Sequence, residues 1–179
     1  MTISPIFHNA RPEGELPPQE SAAFDLLDTL GIDYDRVDHD AAFTMEDCEA
    51  ISAVLGVPIC KNLVLTPRNK SAYYLLCLPG DKPFVTKDFS KLIGSSRLSF
   101  ASHEDMESLL HTAPGSASIL GLLFDTEHRV TVALDRAVAE SEWFGCHPCR
   151  NTSSLRIRTS DVLEKLLPHT GHTPIIVDL

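Results

Sequence analysis

The sequence predicts a single α+β domain, with strands in the middle of the chain and helices mostly at the ends and in crossovers. Its 179 residues are enough to bury a substantial core, and its hydrophobic fraction of 43% is typical of globular proteins. The hydrophobic pattern changes at Lys61 from helical spacing to the alternation of a sheet. No repeat or linker divides the chain, so we expect a flexible leader over residues 1–18 and one domain over residues 19–179.

The N-terminal third predicts two helices. The leader is rich in proline and lacks the basic start and apolar centre of a secretory signal. The first helix is predicted to follow Pro18 and to end at Gly31, because four apolar residues within Ala23–Leu30 recur at helical spacing. The second is predicted to begin after Thr44, whose hydroxyl can cap it, and to end at Gly56.

The remainder of the chain predicts most of the strands. Turn residues at 67–70 and 125–128 each indicate a hairpin between two apolar runs. The predicted strands are Ile32–Val37 (a short edge strand), Lys61–Thr66, Ala72–Leu78, Arg97–Ala101, Ile119–Phe124, Val130–Leu134, Trp143–His147, Leu155–Arg158 and Pro174–Val177. The helices predicted here are Lys87–Ile93, Ser102–His111 and Asp161–Leu167.

The charge distribution limits the classes of partner. A net charge of −10 argues against a DNA-binding protein, yet residues 61–97 carry seven basic and two acidic side chains. That segment is either a face that contacts a short phosphate backbone, through residues such as Lys82, Lys87 and Lys91, or a solvated hairpin and helix. No apolar run approaches the ~18 residues of a membrane helix. Five cysteines, an odd number, favour a reducing, cytoplasmic location.

Polar residues suited to chemistry open one predicted strand. Lys61 and Asn62 place an ammonium and an amide where a phosphate, a carboxylate or an ester carbonyl can be held. The alternative is an ordinary solvated strand start. Small residues at two element junctions, 99–102 and 114–118, can leave backbone N–H groups facing a carbonyl oxygen, or simply form tight turns.

The segment Cys146-His147-Pro148-Cys149 has the C-x-x-C spacing of zinc and redox sites. A structural zinc site needs a second ligand pair, and a redox pair is expected before a helix, whereas a strand is predicted here. We therefore interpret the cysteines as small apolar residues beside a functional or structural histidine. The chain also lacks a nucleophile elbow and a glycine-rich phosphate loop, so no cofactor and no metal are expected.

Four segments, in order, resemble the YbaK/prolyl-tRNA-synthetase-associated editing-domain family. They are Lys61–Leu65, Arg97–Ser102, Pro114–Ser118 with Gly121-Leu122, and His147-Pro148 followed by Asn151-Thr152. The likeness extends from about Phe43 to Val177 and is greatest to the free-standing branch that clears alanine from tRNA(Pro). Val64, where an aromatic residue is common, and the cysteines beside His147 depart from the family pattern.

The resemblance implies a curved mixed sheet flanked by helices and a metal-free hydrolase acting on the aminoacyl ester at the tRNA 3′ end. It implies catalytic positions at Lys61, Asn62 and His147. The implied substrate-binding positions are Thr44, Phe100, Gly115, Ser116, Ser118, Asn151 and Thr152. Thr44 is equally well explained as a helix cap, and Val64, Leu76 and Phe100 are expected to supply an apolar lining.

The expected partners are the acceptor end of aminoacyl-tRNA(Pro) and prolyl-tRNA synthetase. Two other classes of function stay open at this point. One is a non-catalytic module that binds aminoacyl-tRNA or a synthetase and regulates it. The other is a redox or zinc protein that uses Cys146 and Cys149.

Overall fold

The α+β class is confirmed by the computed structural model, which describes all 179 residues. The strands are β1 (Phe7–His8), β2 (Tyr34–Asp38), β3 (Lys61–Pro67), β4 (Tyr73–Leu78), β5 (Leu98–Phe100), β6 (Val130–Asp135), β7 (Trp143–Cys146), β8 (Ser153–Arg158) and β9 (Ile175–Val177). The α-helices are α1 (Pro18–Leu30), α2 (Met45–Leu55), α3 (Thr86–Leu92), α4 (His103–Leu110), α5 (Arg136–Ala139), α6 (Thr159–Asp161) and α7 (Leu167–Thr170). A π-helical turn, Val162–Leu166, joins α6 to α7. None of these helices is long and apolar enough to cross a bilayer.

The larger sheet has the strand order β5-β3-β4-β6-β9. The predicted hairpin of β3 and β4 is confirmed, with Lys61 opposite Leu78 in an antiparallel register. Strands β4, β6 and β9 run parallel to one another, so the sheet is mixed. Because Lys61 begins β3, its side chain lies at the end of the sheet that is remote from the β3–β4 turn.

The smaller sheet has the order β1-β2-β8-β7 and is antiparallel throughout. The segment expected to be a loose leader contributes β1, in which Phe7 pairs with Arg36 of β2. Strand β2 therefore lies inside the sheet, and its prediction as an edge strand is wrong. A two-residue strand among prolines gives no alternating pattern, which is why the sequence did not reveal this pairing.

One predicted strand is a helix. Residues Ile119–Phe124 form a 3₁₀-helix, and the Ser118 side chain caps it by accepting from the Leu120 N–H at 3.1 Å. The hairpin predicted between this run and β6 is therefore wrong, since β6 pairs with β4 and β9 instead. A short apolar run that is buried nearly all round has no periodicity to distinguish a strand from a helical turn.

The two sheets meet at the start of β3. The Cys60 N–H donates to the Gly145 carbonyl at 3.0 Å, and Ile59 and Gly145 form an isolated parallel bridge. A Cβ atom on Gly145 would lie 2.5 Å from the Pro58 carbonyl oxygen, so only glycine permits this approach. The main core contains Val64 and Val132 of one sheet and Phe144 and Leu155 of the other. Lys61 of β3 and His147, which follows β7, are thereby brought to the same junction.

Candidate active site

A cavity of about 340 Å³ opens where the two sheets meet. Its walls come from the start of β3, the N-terminal end of α2, the turn before the 3₁₀-helix and the residue after β7. The lining residues are Ala42, Phe43, Thr44, Met45, Cys48, Ile59, Cys60, Lys61, Asn62, Leu63, Gly80, Gly115, Ala117 and His147. All three residues predicted to be catalytic thus line one cavity.

Lys61 is the only cationic side chain on the cavity wall. Its Nζ atom donates to the backbone carbonyl of Lys82 at 2.9 Å. A neutral acceptor orients the ammonium group without cancelling its charge. The remaining Nζ protons are available to a carbonyl or phosphate oxygen.

Asn62 lines the same cavity and contains an unpaired acceptor. Its Nδ2 atom donates to the Cys60 carbonyl at 3.3 Å, whereas Oδ1 is buried and has no partner in the protein. An unpaired buried acceptor costs about 1–3 kcal/mol of stability. A donor from a bound water or substrate would remove that cost.

His147 contributes a second acceptor. Its Nδ1–H donates to the Ser153 carbonyl at 2.8 Å, while Ser154 Oγ lies 3.2 Å from the same nitrogen. Burial lowers the pKa of His147, and the nearby His39 adds to this effect. The imidazole is therefore neutral at physiological pH, and its Nε2 lone pair has no partner in the protein.

The turn before the 3₁₀-helix contributes two free backbone donors to the residues that line the cavity. Gly115, at φ +87, and Ala117 both line the cavity, and their N–H groups have no acceptor in the protein. Ser116 stabilises the turn instead, since its hydroxyl accepts from the Ala113 N–H at 3.0 Å. Rigid, unpaired N–H groups are suited to hold an oxyanion.

Thr44 is confirmed as the cap of α2 and also occupies a position on the cavity wall. Its hydroxyl accepts from the Asp47 N–H at 3.1 Å, and the Asp47 carboxylate accepts from the Thr44 N–H at 3.0 Å, which completes a capping box. Thr44 also lines the cavity mouth. The preceding Phe43 is 84% exposed and was not among the candidates predicted from the sequence. An aromatic residue directly before a capping box was the available signal.

A second, more polar cavity of about 530 Å³ adjoins the first at Phe43. Three of the predicted substrate-binding residues, Ser116, Asn151 and Thr152, line it. The Asn151 amide also forms a two-way pair with the backbone of Ala42, donating to its carbonyl at 2.8 Å and accepting from its N–H at 3.1 Å. Asn151 thereby holds the segment before α2 against the turn between β7 and β8.

Several predicted site residues lie outside the first cavity. Ser118 is fully buried, and its hydroxyl donates to the His147 carbonyl. Phe100 is 62% exposed on β5, packs near Phe84 and lines neither cavity. Val64 and Leu76 belong to the apolar cores on opposite faces of the larger sheet, so the lining expected from them is wrong. Leu63, Ile59 and Ala42 supply apolar lining instead.

Cys146 and Cys149 are buried within the main core. Burial raises the pKa of the Cys149 thiol to about 12 and that of Cys146 well above its usual range. A thiolate is the reactive and metal-binding form of cysteine, and this environment disfavours it. These contacts agree with the interpretation of both cysteines as small apolar residues beside His147.

The basic segment 61–97 is only partly free to bind a polyanion. Lys82 forms an ion pair with the buried Asp135 at 2.7 Å, so it is not available as the sequence had suggested. Lys87 and Lys91 on α3 are exposed, and so are Arg68 and Arg97. Four cations of this segment thus stay accessible.

Comparisons with known proteins agree with this geometry. The model of the aminoacyl-tRNA editing domain family matches residues 39–165, which include every predicted site residue. The chain is 30% identical over 160 residues to the prolyl-tRNA editing protein ProX of Acetoanaerobium sticklandii, covering 89% of this chain and 97% of that protein.

Two further comparisons extend the likeness. The chain is 30% identical to a prolyl-tRNA synthetase associated domain-containing protein of Danio rerio, over 86% of this chain and 83% of that one. A crystal structure described as a candidate trans-editing enzyme for prolyl-tRNA synthetase superposes with a TM-score of 0.68 at 20% identity. It covers 92% of this chain and 98% of its own, and it shares the fold.

Proposed function

The chain belongs to the aminoacyl-tRNA editing domain family, and we propose that it hydrolyses the ester of mischarged tRNA(Pro), with alanyl-tRNA(Pro) as its main substrate. The name of its relative ProX supports the choice of prolyl tRNA. The names of other relatives support prolyl-tRNA synthetase, which forms such esters, as a partner.

One observation carries the proposal. Asn62, whose buried Oδ1 has no partner in the protein, lines the same cavity as Lys61 and His147, whose Nε2 is also unpaired. Two acceptors and one cation match the groups of an aminoacyl ester and its attacking water. The acceptors take up the substrate ammonium and a water O–H, and the cation faces the carbonyl or phosphate oxygen.

The reaction then needs few further groups. Water oxygen adds to the ester carbonyl carbon, and negative charge develops on the carbonyl oxygen, which Lys61 and the N–H groups of Gly115 and Ala117 stabilise. Each such donor is worth roughly 3–4 kcal/mol to the transition state. The bond to the ribose oxygen breaks, the water proton passes to that oxygen, and the free amino acid leaves. We propose that this chemistry proceeds without a metal, because the protein itself supplies the positive charge.

The second cavity provides space for the nucleotide that carries the ester. Phe43 lies between the two cavities, where an exposed aromatic ring can stack on the terminal base. Asn151 and Thr152 line the far side with polar groups. The ester thereby reaches the first cavity while the tRNA body stays outside.

The proposed preference for alanine follows from how weakly a proline-binding site can reject this smaller amino acid. A synthetase site built for proline rejects the smaller alanine by only ~1–3 kcal/mol, because the difference lies in a few methylene contacts. A separate cavity that admits alanine and excludes the proline ring supplies the missing discrimination. Ala42, Ile59 and Leu63 form apolar lining suited to a methyl side chain.

The experiment follows ester loss from alanyl-, cysteinyl- and prolyl-tRNA(Pro), with and without a chelator. We expect rapid, chelator-insensitive loss of alanine, little loss of proline, and no activity in Lys61→Ala. Lys61→Arg serves as the matched control because it keeps the charge. Intact alanyl-tRNA(Pro) alongside tight tRNA binding would instead identify a regulatory binding module.

A further inference from the structure

His39 lies outside the cavity and has no part in the chemistry described above. It is buried at the end of β2, and its ring centroid lies 6.2 Å from that of His147. Between the two rings lies the fully buried hydroxyl of Ser154, 2.9 Å from His39 Nε2 and 3.2 Å from His147 Nδ1. The three side chains therefore form one continuous hydrogen-bonded chain.

Backbone carbonyls at both ends determine the direction of every bond in this chain. His39 Nδ1 is 2.8 Å from the Asp40 carbonyl, and His147 Nδ1 is 2.8 Å from the Ser153 carbonyl. A carbonyl only accepts, so both Nδ1 atoms carry the hydrogen. In neutral His39 the Nε2 atom is then an acceptor, which takes the Ser154 hydroxyl hydrogen. Ser154 Oγ is left to accept from His147.

We propose that His39 is a positioning residue that, through Ser154, keeps His147 in the tautomer whose Nε2 lone pair faces the cavity. The hydroxyl of Ser154 has no other partner within hydrogen-bond distance than the two imidazoles. If His39 did not accept its hydrogen, that hydrogen would find its only partner at His147 Nδ1, in competition with the hydrogen that Nδ1 donates to the Ser153 carbonyl. The competing tautomer would then present an N–H to the cavity instead of a lone pair. The consequence for ester hydrolysis rests on the function proposed above, whereas the tautomer does not.

The experiment compares two substitutions of His39. In His39→Gln the amide oxygen can replace Nε2 as the acceptor for Ser154, whereas His39→Leu has a side chain of similar bulk and no acceptor. The ¹⁵N resonances of the His147 ring report which nitrogen carries the hydrogen, and single-turnover ester cleavage reports the consequence. Circular dichroism establishes that each variant is folded.

We expect a single Nδ1–H tautomer in the wild type and in His39→Gln, and a mixture in His39→Leu. The cleavage rate of His39→Leu should fall at least about tenfold, the lower end of what partners behind a functional histidine contribute. The substrate Kd should stay unchanged. Ser154→Ala should retain the Nδ1–H tautomer, and combined with His39→Leu it should relieve most of the loss, because it removes the hydroxyl hydrogen that competes for His147 Nδ1.

An unchanged His147 tautomer and rate in a folded His39→Leu protein would overturn the proposal. So would equal losses in His39→Gln and His39→Leu, since they would indicate a packing effect. A wild-type protein without deacylase activity would overturn the proposed function instead, and the nitrogen resonances would still decide the role of His39.

Discussion

In the cavity, Lys61, Asn62 and His147 each keep at least one donor hydrogen or acceptor atom without a partner in the protein. In the proposed reaction these unpaired atoms contact the substrate or the attacking water. Lys61 was recognisable in the sequence as a cation at a strand start, but its orientation by the Lys82 carbonyl was not, since that contact spans 21 residues. The same holds for His147, whose neutral state follows from burial, which lowers the pKa more than the hydrogen bond to the Ser153 carbonyl raises it. Sequence motifs identified these residue types. Only the fold shows their protonation states and which of their hydrogen-bonding atoms have no partner in the protein.

The lowered pKa of His147 predicts the acidic limit of activity. Hydrolysis requires the neutral imidazole, and burial moves its protonation below the ordinary histidine value of about 6.5. The rate should therefore be maintained as the pH falls to about 6.5 and decline only at lower pH, with a midpoint below that value. Single-turnover rates between about pH 5 and 8 measure this profile. A midpoint above the ordinary histidine value would contradict the neutral, buried imidazole.

A second prediction at this scale concerns the exposed Phe43. Phe43→Ala should weaken tRNA binding by about 1–3 kcal/mol, the typical contribution of stacking one base on an aromatic ring. Phe100→Ala is the matched control, because that ring is also exposed but lines neither cavity. Fluorescence titration with an uncleavable aminoacyl-tRNA analogue gives both Kd values. Equal effects of the two substitutions would rule out the stacking role.

At the scale of elements, the site depends on contacts between segments that are far apart in the chain. Asn151 joins the turn after β7 to Ala42, which lies 109 residues earlier and precedes α2. The sequence predicted Asn151 as a substrate-binding residue, but its amide is engaged with backbone. Most of the predicted helices and the β3–β4 hairpin were identifiable because their signals are local, whereas the predicted helix Asp161–Leu167 is mostly a π-helical turn. The 3₁₀-helix Ile119–Phe124 was not identifiable, because its burial depends on neighbours contributed by other segments.

Removal of the Asn151 amide tests this connection. Asn151→Ala leaves the Ala42 N–H and carbonyl without partners, which should cost about 1–3 kcal/mol of unfolding free energy. Because the cavity mouth loosens, KM should also rise. Asn69→Ala is the control, since Asn69 makes a similar backbone contact, to the Ser71 N–H at 3.2 Å, on an exposed turn. Denaturant unfolding and steady-state kinetics give both quantities. Asn151→Ala behaving like Asn69→Ala would show that the pair has no such role.

Over the whole molecule, the acidic chain has four exposed cations without an ion pair in one segment, residues 61–97. The net charge of −10 would repel a polyanion, yet Lys87 and Lys91 are exposed within the basic segment 61–97. This distribution predicts that the protein binds tRNA with modest, salt-sensitive affinity and contacts only the acceptor end of the tRNA. The charge pattern could be predicted from the sequence. The ion pair with Asp135, which makes Lys82 unavailable for phosphate binding, is visible only in the fold.

Replacing Lys87 and Lys91 by glutamine should reduce the salt dependence of tRNA binding. Each lost phosphate contact lowers the slope of log K against log salt by about 0.7–0.9, so the double variant should lose up to twice that. Lys165→Gln provides a control, because Lys165 pairs with Asp161 outside the basic segment. Binding titrations at several salt concentrations measure the slope. An unchanged slope in the double variant would place the tRNA on another face.

The central claim is that the cavity at the junction of the two sheets carries out ester hydrolysis and does not merely bind tRNA. The single-turnover rate of Asn62→Ala on alanyl-tRNA(Pro), with enzyme far above its Kd, tests it most directly, because saturation removes any contribution of binding. We expect a fall of about 100-fold, the cost of losing the orientation of a reacting group. A rate equal to that of the wild type would contradict it.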